Sequence, residues 1–119
     1  MTVQIPGVDT EKGLDLYDDE MDIYLTVLRS YIANTPAALD KLRSVSAETL
    51  ADYFAVIHGV KGTSASIGAE ELRKTAAGLE AMARAGDLSG VLAGNQAFLK
   101  QADALMDSIK AWLKENDQA

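Results

Sequence analysis

The chain has a single histidine, His58, which opens the stretch His-Gly-Val-Lys-Gly-Thr-Ser-Ala-Ser-Ile-Gly ending at Gly68. An imidazole that is neutral near pH 7 is a nucleophile through a ring nitrogen. Lys61 stands three residues on, a neighbour across one helical turn. Two groups that can both be cationic gain nothing structurally from lying side by side. They make sense if an anion comes between them. A phosphoryl group would serve, with the imidazole attacking and the lysine neutralising the charge that develops. The alternative for Lys61 is a solvated lysine whose stem lies along the edge of the core.

Gly59 and Gly62 accompany this pair. Each costs a helix interior roughly 1 kcal/mol relative to Ala. A bare backbone beside His58 offers close approach by another molecule in return. At about 100° per residue, His58 shares its side of a helix with Ala51, Ala55, Gly62, Ala65 and Ala69, all small. Ala55, Gly59, Gly62 and Ala65 are therefore the expected binding positions around the imidazole. The same small residues would also suit a tight helix–helix contact, and composition leaves both readings open.

Other chemistries lack their residues. One histidine and no cysteine make no usual zinc site, so no metal ligands are expected. No nucleophile motif accompanies a Ser-His-Asp set. The glycines near His58 lack the order of a phosphate-binding loop. No Glu-x-x-His motif exists for a di-metal carboxylate bundle. The carboxylates read as helix caps and solvated faces.

These residues need helices to position them, and the apolar spacing supplies helices throughout. A short first helix is expected at about 9–17, with Asp9 or Thr10 as N-cap. Met21, Tyr24, Leu25, Leu28, Tyr31, Ile32, Thr35, Leu39 and Leu42 repeat at three and four, predicting a second helix over about 20–44. Pro36 falls inside it, where the helix either kinks or restarts with Thr35 as cap. The stripe keeps its phase, which favours the kink. Ser46 is expected to cap a third helix, about 47–67, on Leu50, Tyr53, Phe54, Ile57, Val60, Ser64 and Ile67, with Gly68 as C-cap. A fourth, about 69–85, rests on Leu72, Ala76, Leu79, Met82 and Ala83, closed by Gly86. A last, about 88–115, follows a cap at Asp87 and carries Val91, Leu92, Phe98, Leu99, Leu105, Met106, Ile109, Trp112 and Leu113. No segment alternates convincingly as a strand. Four long amphipathic helices with short loops predict an all-α, up-down-up-down antiparallel four-helix bundle, the short first helix covering one end. Residues 1–119 read as one domain.

With 48% hydrophobic and 24% charged residues, the chain fits a soluble globular protein. Its net charge of −7 argues against nucleic acid and against an anionic membrane surface as partners. No apolar run approaches the ~20 residues of a membrane span. No signal peptide is evident, so the cytoplasm is the expected compartment. Proteins remain as the partners.

The run His58-x-x-Lys61-Gly62-Thr63-Ser64-Ala65-x-Ile67-Gly68 resembles the signature of histidine-containing phosphotransfer (HPt) domains of two-component phosphorelays. The surrounding order is also similar: Ile5-Pro6-Gly7-Val8-Asp9 near the start, a long second helix with a central proline, and a Gly-Ala junction after the motif. The resemblance implies that His58 is the phosphorylated residue, that Lys61 assists the phosphoryl group, and that Gly62 leaves room for it. It implies response-regulator receiver domains as partners, with a hybrid histidine kinase as a further one. The receiver would bring the aspartyl phosphate and the Mg²⁺, so the chain needs no cofactor of its own. It would be a monomeric phosphoryl-group carrier without a nucleotide site, not an enzyme. The sequence departs from the usual pattern at Gly59, where a hydroxyl residue is common, and at Ser66, where asparagine is frequent. The competing expectation is a helical interaction module that binds a receiver or kinase without transferring phosphate.

Overall fold

Asp9 opens the first helix, its carboxylate accepting from the Lys12 backbone N–H at 3.1 Å. The computed structural model describes residues 4–116. Five helices follow in order: α1 (Thr10–Asp15), α2 (Met21–Leu42), α3 (Leu50–Ser66), α4 (Glu70–Arg84) and α5 (Leu88–Asn116). Among the described residues the only strand-like feature is an isolated bridge between Ile5 and Val8.

The core comes from the three-and-four spacing. Tyr24, Leu28, Leu39 and Leu42 of α2 meet Tyr53, Ile57 and Val60 of α3. Leu72, Ala76 and Leu79 of α4 join Val91, Phe98, Leu99, Leu105 and Ile109 of α5. Each long helix packs on two others, α2 on α3 and α5, and α4 on α3 and α5, so the four close into a bundle. At about 1.5 Å per residue the 29-residue α5 accounts for most of the 46 Å long axis.

α2 runs unbroken through Pro36, as the constant phase of its stripe favoured over a restart, and Thr35 lies buried inside it. Other local expectations need correction. Ser46 does not cap α3. Residues 46–49 form a turn in which Thr49 Oγ1 accepts from the Ser46 N–H at 2.9 Å, and the helix begins only at Leu50. Met82 and Leu92 are exposed rather than core, because each sits at the solvent edge of its stripe.

The end of α3 is held from three sides. A helix C-terminus leaves carbonyls without intrahelical donors. Here Tyr17 Oη donates to the Ser66 carbonyl at 2.7 Å and Tyr24 Oη to the Ile67 carbonyl at 2.8 Å. Burial pushes the Tyr24 phenol up to about 12. Tyr31 Oη and Ser64 Oγ share a buried bond of 2.9 Å. Gly68 takes φ +81°, and its carbonyl accepts from the Asp9 N–H at 2.7 Å. A Cβ there would fall 2.3 Å from the Asp9 carbonyl oxygen. The N-terminal segment and the motif's last glycine are thus one fastened unit.

Candidate functional site

Ile57, completely buried, fixes which way α3 faces. The next residue, His58, must then point outward, and its side chain is 62% exposed. A Cβ built on Gly59 or Gly62 meets nothing within 4 Å. The bare face is therefore open space, not a tight helix–helix contact. Ala51, Ala55 and Gly62 are exposed and Ala65 is half-buried, but Ala69 is buried at the start of α4 and drops out of the expected face. Ala55 and Gly59 also line a groove of about 420 Å³ between α2 and α3, together with Val27, Ala37, Ala38 and Val56. Gly62 and Ala65 lie outside that groove.

The residue that sequence reasoning missed is Glu80 of α4. It was expected to lie on a solvated face like the other carboxylates, yet it is only 6% exposed. Its two oxygens divide their work. Oε1 accepts from Lys61 Nζ at 2.7 Å, and Oε2 accepts from Nδ1–H of His58. A buried carboxylate is tolerated only when paired, and the lysine, with the imidazole second, holds this one below the usual carboxylate range. So an anion does lie between His58 and Lys61 in the free protein, and it is the protein's own. The signal available in the sequence was weak: Glu80 sits between Leu79 and Ala83 of the α4 stripe, at a position facing α3.

A carboxylate on Nδ1 selects the tautomer with the proton there and turns the ring about its bond. Nε2 then carries the free lone pair on the exposed side. The ring is also buttressed by Phe54, one turn earlier on α3, with centroids 6.3 Å apart and planes 20° from parallel. Arg84 of α4 lies over the Phe54 ring, its guanidinium carbon 5.3 Å from the centroid. Among the described residues no group of three or more His, Cys, Asp or Glu side chains could hold a metal ion.

The Hpt domain family model matches residues 19–112, most of the chain. The chain belongs to the Hpt domain family. An Hpt domain is a histidine-containing carrier in the phosphorelays of two-component signalling, and its interactions are with receiver domains and histidine kinases. The match spans α2 to α5 and leaves α1 outside it. No curated protein and no solved structure matches this Hpt domain. Among its described residues, no helix is long and apolar enough to cross a membrane.

Proposed function

We propose that His58 accepts a phosphoryl group on Nε2 from the aspartyl phosphate of a response-regulator receiver and passes it to another receiver. The observation that carries this reading is the exposed imidazole held at Nδ1 by the buried Glu80 carboxylate, which leaves Nε2 as the nucleophile. The Nε2 lone pair forms the N–P bond as the P–O bond to the aspartate breaks, and that electron pair leaves on the carboxylate. The Nδ1 proton stays in place, and Glu80 faces the positive charge that the ring acquires. In the reverse step the same proton lets a neutral imidazole leave. Lys61 is within one turn of the phosphoryl position and supplies a cation where charge spreads over the equatorial oxygens. Gly59, Gly62, Ala55 and Ala65 leave the approach clear. The receiver supplies the Mg²⁺. A hybrid histidine kinase is the natural source of such a receiver.

The test is incubation of the chain with a phosphorylated receiver, followed by assay for acid-labile, base-stable phosphate. The wild type gains that phosphate and His58→Gln does not. Phosphate on the variant would assign another acceptor. Binding of the receiver with no phosphate on the wild type would mark a non-transferring interaction module instead.

A further inference from the structure

We infer that Phe54 is a positioning residue for the acceptor: its ring fixes the plane of the His58 imidazole, and so the line along which Nε2 meets a donor that is itself held in place. The inference rests on the reading of His58 as acceptor and extends it to a residue that touches neither the phosphoryl group nor Glu80.

One hydrogen bond does not fix a ring. The bond from Nδ1–H to Glu80 Oε2 anchors one atom of the imidazole. Such a bond tolerates a tilt of roughly 30° at little loss. The Nε2 lone pair lies in the ring plane on the far side, so a tilt about Nδ1 swings the line of attack. In-line transfer is sensitive to that swing, since a misplacement of about 1 Å can cost about 10²-fold in rate. A second restraint, on the plane itself, completes the hold.

Phe54 supplies it. Helical side chains lean toward the helix N-terminus, which brings the imidazole onto the residue one turn earlier. That residue is Phe54, its ring 20° from parallel to the imidazole with centroids 6.3 Å apart, an offset stack. Phe54 is itself held. It is half-buried against the core, and across the seam between α3 and α4 the Arg84 guanidinium carbon lies 5.3 Å from its ring centroid. One turn to the other side of His58 stands Gly62, where a Cβ would meet nothing within 4 Å. The imidazole therefore has a wall on one side and open space on the other. Packing alone asks only for a large apolar residue at position 54. Holding a plane asks for a planar one.

Two donors separate positioning from packing. Phosphoramidate is small and reaches Nε2 from any direction, its phosphoryl group passing to the ring as ammonia leaves. A receiver loaded with acetyl phosphate presents its aspartyl phosphate along one line. Phe54→Leu keeps the apolar bulk and loses the plane, whereas Phe54→Tyr keeps both. With phosphoramidate, followed by ³¹P NMR, the full-length wild type and both variants should load at the same rate. With saturating receiver, Phe54→Leu should accept phosphate roughly tenfold more slowly, less than the loss for a full ångström, at an unchanged binding constant. Phe54→Tyr should keep the wild-type rate. ¹⁵N spectra of Phe54→Leu should still show the Nδ1–H tautomer, because Glu80 is intact. Independently of any variant, the wild type should show NOEs between the Phe54 ring and the imidazole. Transfer from the receiver to Phe54→Leu at the wild-type rate, a Phe54→Tyr as slow as Phe54→Leu, an equal slowing with phosphoramidate, or a wild type without those NOEs would each overturn the inference and leave the acceptor reading standing. A wild type that takes phosphate from neither donor would overturn the acceptor reading and this inference with it.

Discussion

Lys61 Nζ lies 2.7 Å from Glu80 Oε1, and the other oxygen of the same carboxylate takes Nδ1–H of His58. One buried anion on α4 thus orders both chemistry-bearing residues of α3. The arrangement gives the histidine a fixed tautomer and gives the lysine a resting place one turn from where it would act.

Glu80→Ala should therefore scramble the imidazole before it harms the fold. ¹⁵N spectra of the ring should change from one dominant Nδ1–H form to a mixture of tautomers. Phosphoryl acceptance should fall by roughly tenfold, the low end of the loss seen when the outer partner of a working histidine is removed. A ring that keeps its tautomer in the variant would show that Glu80 does not set it.

Acid should weaken the bundle in a way two carboxylates control. Glu70, bonded to Lys12 and Arg73, is lowered to about 2, and Glu80 is also lowered, by Lys61 and then His58. A group depressed in the folded state adds stability above its unfolded pKa, about 4.3 for glutamate, and loses it as pH falls through the folded value. Urea midpoints should thus decline from about pH 5 downward, with the Glu70 part vanishing only near pH 2. Glu70→Gln and Glu80→Gln should each flatten that decline. Parallel curves for wild type and both variants would contradict the assignment.

Gly62→Gln should raise stability and lower transfer. The Cβ enters open space, so helix propensity acts alone and contributes a gain of some tenths of a kcal/mol to about 1 kcal/mol. The longer side chain stands four residues from His58 and obstructs an incoming receiver. Thermal melts and transfer rates should move in opposite directions. A variant with a normal transfer rate would show that the bare backbone is not an approach route.

Gly68 and Gly86 should part company. Both have positive φ, +81° and +73°. A Cβ at Gly86 meets nothing, so Gly86→Ala should cost about 1–2 kcal/mol from backbone strain alone. At Gly68 the Cβ also strikes the Asp9 carbonyl oxygen, so Gly68→Ala should cost well beyond that, about 3 kcal/mol or more. Denaturant melts of the two variants would separate the effects, and equal losses would exclude the clash at Asp9.

The helices were legible because their stripes are long and repeat at three and four. Tyr24, Leu28 and Leu39, and likewise Tyr53, Ile57 and Val60, are buried as that spacing requires. His58 was legible because Ile57 beside it must be buried. Helix starts were less so: Ser46 and Thr49 compete for the same turn, and a hydroxyl at either position reads alike in one dimension. Glu80 was hidden for a different reason. Its partners are 19 and 22 residues away on another helix, and periodicity says that a face is buried without saying which polar group waits opposite. Tyr24 reads as a core aromatic, and only the fold reveals that its hydroxyl and that of Tyr17 close the carbonyls at the end of α3.

The link between α3 and α4 is three residues, 67–69, pinned where the Gly68 carbonyl accepts from the Asp9 N–H and the Ile67 carbonyl accepts from Tyr24 Oη. His58 and Glu80 stand nine and eleven residues outward from that link, and Phe54 and Arg84 stand four residues further out on each side. The link therefore works as a gauge block for the seam. One residue added to it would rotate every position of α4 by about 100° relative to α3. The helices would survive and Glu80 would swing away from the imidazole. In this protein the length of a short turn is as much a part of the chemistry as the histidine.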